Sequence, residues 1–297
     1  MLHPLRLEQK KPNEEDKAKW INIIEQWDQL LPKKASKVKM QCQKGIPASL
    51  RAKCWPLLSG ATERIKEQKD LYKSALKHWK DVIERDLDRQ FPFHEMFVSK
   101  DGHGQRSLFQ VLKAYTQFKP EDGYCQAQGP VAAVLLMNMP AEEAFWCLVQ
   151  ICEQYLPGYY SPLLEGVLFD AAILTWVLKR SCPAAHKHLQ RHGVEPLMFA
   201  TDWLMCLFTR HLPFNTLLRV WDLFFCYGKN ISKGLVSLSH RIVHLDFQES
   251  IKHGTLKGGR KFYLKDVTLM VLMVSNVSSD KQIHLSCFLR STGEGAP

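Results

Sequence analysis

The stretch "AEEAFWCLVQICEQYL", Ala141 to Leu156, decides the fold. Its apolar residues recur at helical spacing, and "PGYYSP", Pro157 to Pro162, stops it. Working outward, the same period returns on both sides. Upstream, "SLFQVLKAYTQF", Ser107 to Phe118, predicts a helix with Ser107 as its N-cap. A long helical pattern runs from Ile65 to Arg89, and "GIPASLRAKCWPLLSG", Gly45 to Gly60, holds a short helix between Pro47 and Gly60. Residues 13–31 place Trp20, Ile23, Ile24, Trp27, Leu30 and Leu31 on one face. Downstream, helical patterns cover Leu163 to Arg180, Ala184 to His192, Pro196 to His211 and Phe214 to Phe225. Another apolar helix starts at Tyr124 or Pro130. Alternating strand patterns are missing up to residue 228, so the expected fold is all-α.

Three segments follow from the punctuation. Pro32 and the lysine run "KKASKVK", Lys33 to Lys39, read as a basic linker, which makes 1–43 an N-terminal amphipathic helix plus linker. Residues 44–228 form the helical domain. Beyond Gly228 the composition shifts: residues 255–289 are β-branched, glycine-broken and basic. Residues 229–297 are therefore expected to be a divergent tail, poorly ordered or loosely docked. Within it "VTLMVLMV", Val267 to Val274, has the composition of an aggregation-prone segment.

The totals exclude several classes. With 45% hydrophobic residues in 297, the chain can bury a core without metals or disulfides. Its nine cysteines contain no C-x-x-C pair, so no zinc ribbon or dithiol redox motif is legible, and they fit buried reduced thiols. The N-terminus has no apolar core of a secretory signal, and no apolar run approaches the roughly 20 residues of a spanning helix. The expectation is a cytoplasmic protein. A net charge of +10 is compatible with nucleic acid, an anionic surface or an acidic partner. No aromatic residues interleave with the basic ones as a base-stacking platform needs, so nucleic acid is not expected. His188 and His192 have the i, i+4 spacing of metal ligands, but no cysteine or acidic ligand accompanies them, and a surface helix is the better reading. "GHGQRS" lacks the Lys-Ser/Thr of a phosphate-binding loop, and no G-x-S-x-G nucleophile turn occurs. "WDLFF" reads as ordinary helical core.

Two stretches carry chemistry. In "VIERDLDRQFPFHEMF", Val82 to Phe97, Pro92 disfavours helical geometry for Phe91, leaving Arg89 in a last turn and three residues from Asp86. Arg89 either complements the helix dipole or reaches outside the protein. In "EDGYCQAQGP", Glu121 to Pro130, Gly123 permits a turn, and Tyr124, Gln126 and Gln128 follow. A glutamine there is a cap, a solvated side chain, or an amide that positions a water, since it offers both a donor and an acceptor. An arginine and a glutamine presented together suit GTP hydrolysis. The arginine stabilises charge on the transferring phosphoryl group, and the glutamine orients the attacking water.

Over residues 44–228 the chain resembles the TBC-domain family of Rab GTPase-activating proteins. "LRAKCW" matches an R-x-x-x-W motif through Arg51 and Trp55. "IERDLDR" matches I-x-x-D-x-x-R through Ile83, Asp86 and Arg89, and "GYCQ" matches Y-x-Q through Tyr124 and Gln126. "LLRVWDLFF" supplies Arg219, Trp221, Asp222 and Phe224 of a late R-x-W-D-x-F segment. The wording "RQFPFHEMF" and "GYCQAQGPVAAVLLM" is similar to the Carabin-like subgroup, TBC1 domain family member ten.

The resemblance implies a multi-helix TBC domain that accelerates GTP hydrolysis by a Rab-family small GTPase. Arg89 would be an arginine finger and Gln126 a glutamine finger, with Gln128 a secondary candidate. Asp86 would hold the Arg89 region, Tyr124 would shape the Gln126 loop, and Arg51 and Trp55 would be mainly structural. No cofactor of its own is implied, since GTP and Mg²⁺ arrive with the GTPase. Membrane contact, at the plasma membrane or vesicles, would be peripheral and through that partner. After the W-D-x-F segment the tail follows no pattern of the family, so the domain is expected to be incomplete at its C-terminal end. The rival reading is therefore a non-catalytic helical binding or scaffold protein.

Overall fold

The computed structural model describes residues 14–68, 79–195 and 197–227. Among the described residues there are helices and turns but no strand, as the 3.6-residue period predicts. The helices are α1 (Glu14–Glu25), α2 (Trp27–Lys44), α3 (Arg51–Ser59), α4 (Ala61–Glu67), α5 (Lys80–Leu87) and α6 (His103–Phe118). They continue as α7 (Gln128–Leu136), α8 (Ala141–Gln150), α9 (Glu165–Ser181), α10 (Pro183–Arg191), α11 (Leu197–Met205) and α12 (Phe214–Tyr227). Residues 229–297, expected to be a divergent tail, and the middle of the long Ile65–Arg89 pattern lie outside the described residues.

The core is built around α7 and α8. All nine residues of α7, "QGPVAAVLL", are buried, and seven consecutive residues of α8 from Ala144 to Gln150 are buried as well. A helix that is apolar all round belongs in the centre of a domain rather than on its face. Helix α6 packs against both, and α4 and α3 also pack on α8. One widened π turn, Ile151–Tyr155, ends α8, so the helix signalled by the sequence over 141–156 is present but changes its winding in its last turn.

Two local expectations are corrected. Pro32 and the lysine run do not form a linker, because α2 passes through them from Trp27 to Lys44. Interior proline costs a helix about 3 kcal/mol, but packing of α2 against α12, with Val38 and Cys42 buried, outweighs that local penalty. The N-terminal helices are thus part of the main core. Trp20 is fully buried and donates Nε1–H to the Gly45 carbonyl at 2.9 Å. Ser107 is not an N-cap: α6 begins four residues earlier, behind Gly102, and Ser107 is buried inside it. Gly104 makes that early start possible, since a Cβ there would meet the Met96 carbonyl oxygen at 2.0 Å.

All eight described cysteines are free thiols, and six of them are buried. Burial pushes the Cys54 and Cys147 thiols up to about 12, which keeps them protonated and inert. His188 and His192 lie side by side with ring centroids 4.5 Å apart. No group of three metal-ligating side chains occurs among the described residues, and no described helix is long and apolar enough to cross a membrane.

Candidate functional site

The four motifs assemble into two clusters, each centred on an aspartate. In the first, Asp222 of α12 is completely buried. Its Oδ1 accepts Arg51 Nε at 3.0 Å and Trp55 Nε1 at 3.1 Å, and its Oδ2 accepts the Ile46 backbone N–H at 3.0 Å and Arg51 Nη2 at 3.2 Å. The spacing of four between Arg51 and Trp55 puts both donors on one face of α3, aimed at one carboxylate. Trp55 also packs on Trp221 and Phe225, with ring centroids 5.7 and 5.3 Å away. Arg219, one turn before Asp222, donates to the Cys42 carbonyl at 2.6 Å and also to the Gln43 carbonyl, which places a cation on the C-terminal end of α2. This cluster ties α2, α3 and α12 together and leaves no side chain free for a partner. Arg51 and Trp55 both direct their side-chain donors to Asp222. The part played by Asp222 rests on contacts 167 to 176 residues apart in sequence, which local pattern cannot display.

The second cluster sits at the surface. Helix α5 ends at Leu87, so Arg89 lies just beyond the helix rather than in its last turn. Ile83 and Asp86, three apart, face inward and are buried. Asp86 Oδ1 holds Arg89 Nη2 at 2.7 Å, and Oδ2 accepts the Tyr124 hydroxyl at 2.9 Å. Arg89 is 48% exposed while Asp86 is only 7% exposed, so a buried carboxylate positions a cation that remains open to solvent. The hydrogen bond to Asp86 raises the Arg89 pKa further, and burial followed by the same carboxylate raises that of the Tyr124 phenol. Both partners therefore keep their protons at any working pH.

Tyr124 belongs to the loop that carries Gln126. Gly123 adopts φ +64°, and a Cβ there would sit 2.5 Å from the Trp79 ring, so only glycine fits on both grounds. The loop is closed by Gln128 N–H donating to the Cys125 carbonyl at 3.0 Å and by Gly129 N–H donating to that of Gln126 at 3.2 Å. Gln126 is exposed. Gln128 is not a second candidate for a partner: it is fully buried, and its Oε1 accepts the Cys125 N–H at 3.2 Å. A second contact keys the two loops to each other. Buried Gln90, next to Arg89, packs so closely on Gly129 that a Cβ there would lie 3.0 Å from the Gln90 amide nitrogen.

A cleft of about 410 Å³ opens beside Arg89 and is lined by Phe91, Phe93, Pro130, Thr209 and Arg210 among others. The Thr209–Arg210 turn follows Leu207 and Phe208, which both have positive φ (48° and 62°). It comes from 120 residues downstream, and nothing local in the sequence marked it as a neighbour of Arg89. Arg210 and His211 both approach Asp202 at 3.5 Å, and burial, the largest influence, lowers the His211 pKa.

A model of the Rab-GTPase-TBC domain matches residues 48–247, and the chain belongs to that family. The match runs to residue 247, so the family pattern continues past Gly228, where the sequence reading ended the domain, into residues outside the described ones. TBC1 domain family member 10A of Mus musculus is 54% identical over 233 residues, covering 76% of this chain and 46% of that protein. Carabin of Mus musculus is 55% identical over 218 residues, covering 72% of this chain and 49% of that protein. The chain thus spans about half the length of these relatives. The crystal structure of the Chlamydomonas flagellar RabGAP TBC domain superposes with a TM-score of 0.63 at 25% identity, covering 91% of each chain.

Proposed function

We propose that this chain is a GTPase-activating protein for Rab-family small GTPases, with Arg89 and Gln126 supplied in trans. The observation that carries the reading is the shared anchor. One buried carboxylate, Asp86, holds the guanidinium of Arg89 and the hydroxyl of Tyr124, two residues from Gln126. Catalysis of phosphoryl transfer by a partner protein consists of positioning and charge stabilisation, and neither task needs a perturbed acid or base. Arg89 offers a planar fork for the equatorial phosphoryl oxygens. Gln126 offers an amide that can accept from the attacking water and donate to the phosphate. GTP and Mg²⁺ arrive with the GTPase, and contact with membranes comes through that partner.

The test is a GTP-hydrolysis screen of the chain against a panel of Rab GTPases. For the responsive GTPase, Arg89→Ala is expected to remove most of an acceleration of about 10³–10⁵. Gln126→Ala should also lose activation, whereas the parent chain should still activate a GTPase whose own switch glutamine is substituted. Parent-like activity of Arg89→Ala would end the arginine-finger assignment, and a panel in which no Rab GTPase responds would end the GTPase-activating reading. Insensitivity of the glutamine-substituted GTPase would return the water-orienting role to the GTPase.

A further inference from the structure

The sequence "FPFHEMF", Phe91 to Phe97, places aromatic rings at 91, 93, 94 and 97, and the structure treats one of them differently. Phe97 is buried. Phe91 packs against it with ring centroids 6.4 Å apart, and the His94 ring lies 5.9 Å from Phe97 and 6.4 Å from Phe214. Phe93 is 98% exposed, the highest exposure of any large hydrophobic side chain among the described residues.

Its backbone is nonetheless fixed. His94 N–H donates to the Phe91 carbonyl at 2.9 Å, which closes a turn with Pro92 and Phe93 at its two corners. Proline presets the first corner. The following residues are tied by Met96 N–H donating to His94 Nδ1 at 3.2 Å and by Phe97 N–H donating to the His94 carbonyl at 2.9 Å. A large apolar ring is therefore held out into water on a rigid turn, four residues from Arg89 and on the wall of the same cleft.

We propose that Phe93 is a binding anchor for the GTP-loaded GTPase, inserting into an apolar depression of the partner beside the region that Arg89 reaches. The inference rests on the GTPase-activating reading and deepens it. An aromatic side chain has only two torsions to fix on burial, its backbone here is already set by the turn, and such rings dominate the few residues that carry the affinity of an interface. Arg89 and Arg210 on the same cleft add positive charge that suits the acidic, phosphate-bearing face of a nucleotide-loaded GTPase. Because Phe93 approaches the partner rather than the reacting atoms, its contribution belongs to complex formation.

The experiment is steady-state activation of a GTPase that responds to the parent chain, comparing parent, Phe93→Ala, Phe93→Leu and Arg89→Ala, with a thermal melt of each. Phe93→Ala is expected to raise KM for the GTP-loaded GTPase by about 10- to 30-fold, with the loss in KM rather than kcat and an unchanged melting temperature. Phe93→Leu, which keeps an apolar group on the turn, should recover part of the loss. A KM within about twofold of the parent in Phe93→Ala would overturn the proposal. So would a melting temperature lowered by several degrees, because the ring would then be packing on its own chain. The Arg89→Ala arm separates the two failures. If it is inactive while Phe93→Ala keeps its KM, only the anchor is wrong; if it activates like the parent, the arginine-finger assignment fails; and if no Rab GTPase responds to the parent chain, the GTPase-activating reading itself fails.

Discussion

Asp222 and Asp86 make an instructive pair. Each accepts from an arginine and from an aromatic donor, Arg51 and Trp55 in one case, Arg89 and Tyr124 in the other. The chemistry is nearly the same, and burial separates the outcomes. Asp222 is wholly enclosed and Arg51 is 11% exposed, so the donors are consumed by the fold. Asp86 is enclosed, but its arginine is half in water, so the same kind of bond orients a side chain instead of retiring it. A buried carboxylate costs free energy unless its oxygens are hydrogen-bonded, and each oxygen of both has a donor. The difference lies in what the arginine has left to offer.

The largest effect that would test this contrast is on stability. Asp222→Ala strands Arg51 and removes acceptors from Trp55 Nε1 and the Ile46 N–H, all in a region closed to solvent. Breaking a buried, hydrogen-bonded ion pair from one side costs about 3–5 kcal/mol, a large share of the total stability of about 5–15 kcal/mol of an ordinary domain. Urea denaturation should show the midpoint collapse, or the variant should fail to fold. A loss below about 1 kcal/mol would mean that the three helices are held by their apolar contacts alone and that the Asp222 cluster is incidental.

That cluster also marks the limit of what the sequence discloses. The all-α class was legible because burial of α6, α8 and α12 imposes a 3.6-residue period that needs no partner information. α9, α10 and α12 begin and end within about two residues of their predicted bounds. The motif resemblance brought Arg89, Asp86, Tyr124 and Gln126 together before any coordinates. What was illegible depends on distant chain. Helix α2 survives Pro32 because α12, almost two hundred residues later, covers it. Gln126 and Gln128 are two residues apart with the same side chain, yet one is exposed and the other is fully buried. Phe93 looks like its aromatic neighbours until the turn shows which ring points outward.

The second test concerns function with the fold kept intact. Arg89→Lys preserves a positive charge near Asp86 and so preserves whatever the pair contributes to folding. It removes the planar fork that can engage two phosphoryl oxygens at once. Activation of the responsive GTPase is expected to fall by about 10²-fold or more, while the thermal melt stays with the parent. At a partly exposed pair such as this one the charge itself adds little stability. Activity within a few-fold of the parent would show that Arg89 works as a simple cation, which would dissolve the distinction drawn between the two aspartates.

The smallest effect sharpens the comparison most, because it asks whether Asp86 is an anchor for one loop or for two. Tyr124→Phe deletes a single hydroxyl and leaves the ring in its buried place. The lost bond is 2.9 Å long, and its acceptor is the same carboxylate that holds Arg89. Its raised pKa keeps the phenol protonated at working pH, so Tyr124 acts there as a donor, and phenylalanine removes that role alone. Stability should fall by about 1.5–3 kcal/mol, the usual contribution of a hydrogen bond to a charged group. If the bond also sets the height of the Gln126 loop, the Gln126 amide shifts by a fraction of an ångström to about 1 Å, and under the proposed mechanism kcat should drop by about tenfold. KM should hold, because the surface that meets the GTPase is unchanged. Gln126→Ala in the same background then gives a double-mutant cycle. If Tyr124 acts through Gln126, the two losses should fall well short of additive. Full additivity would place Tyr124 with Trp55, as a residue whose polar atom serves packing alone, and Asp86 would then be an anchor for Arg89 only.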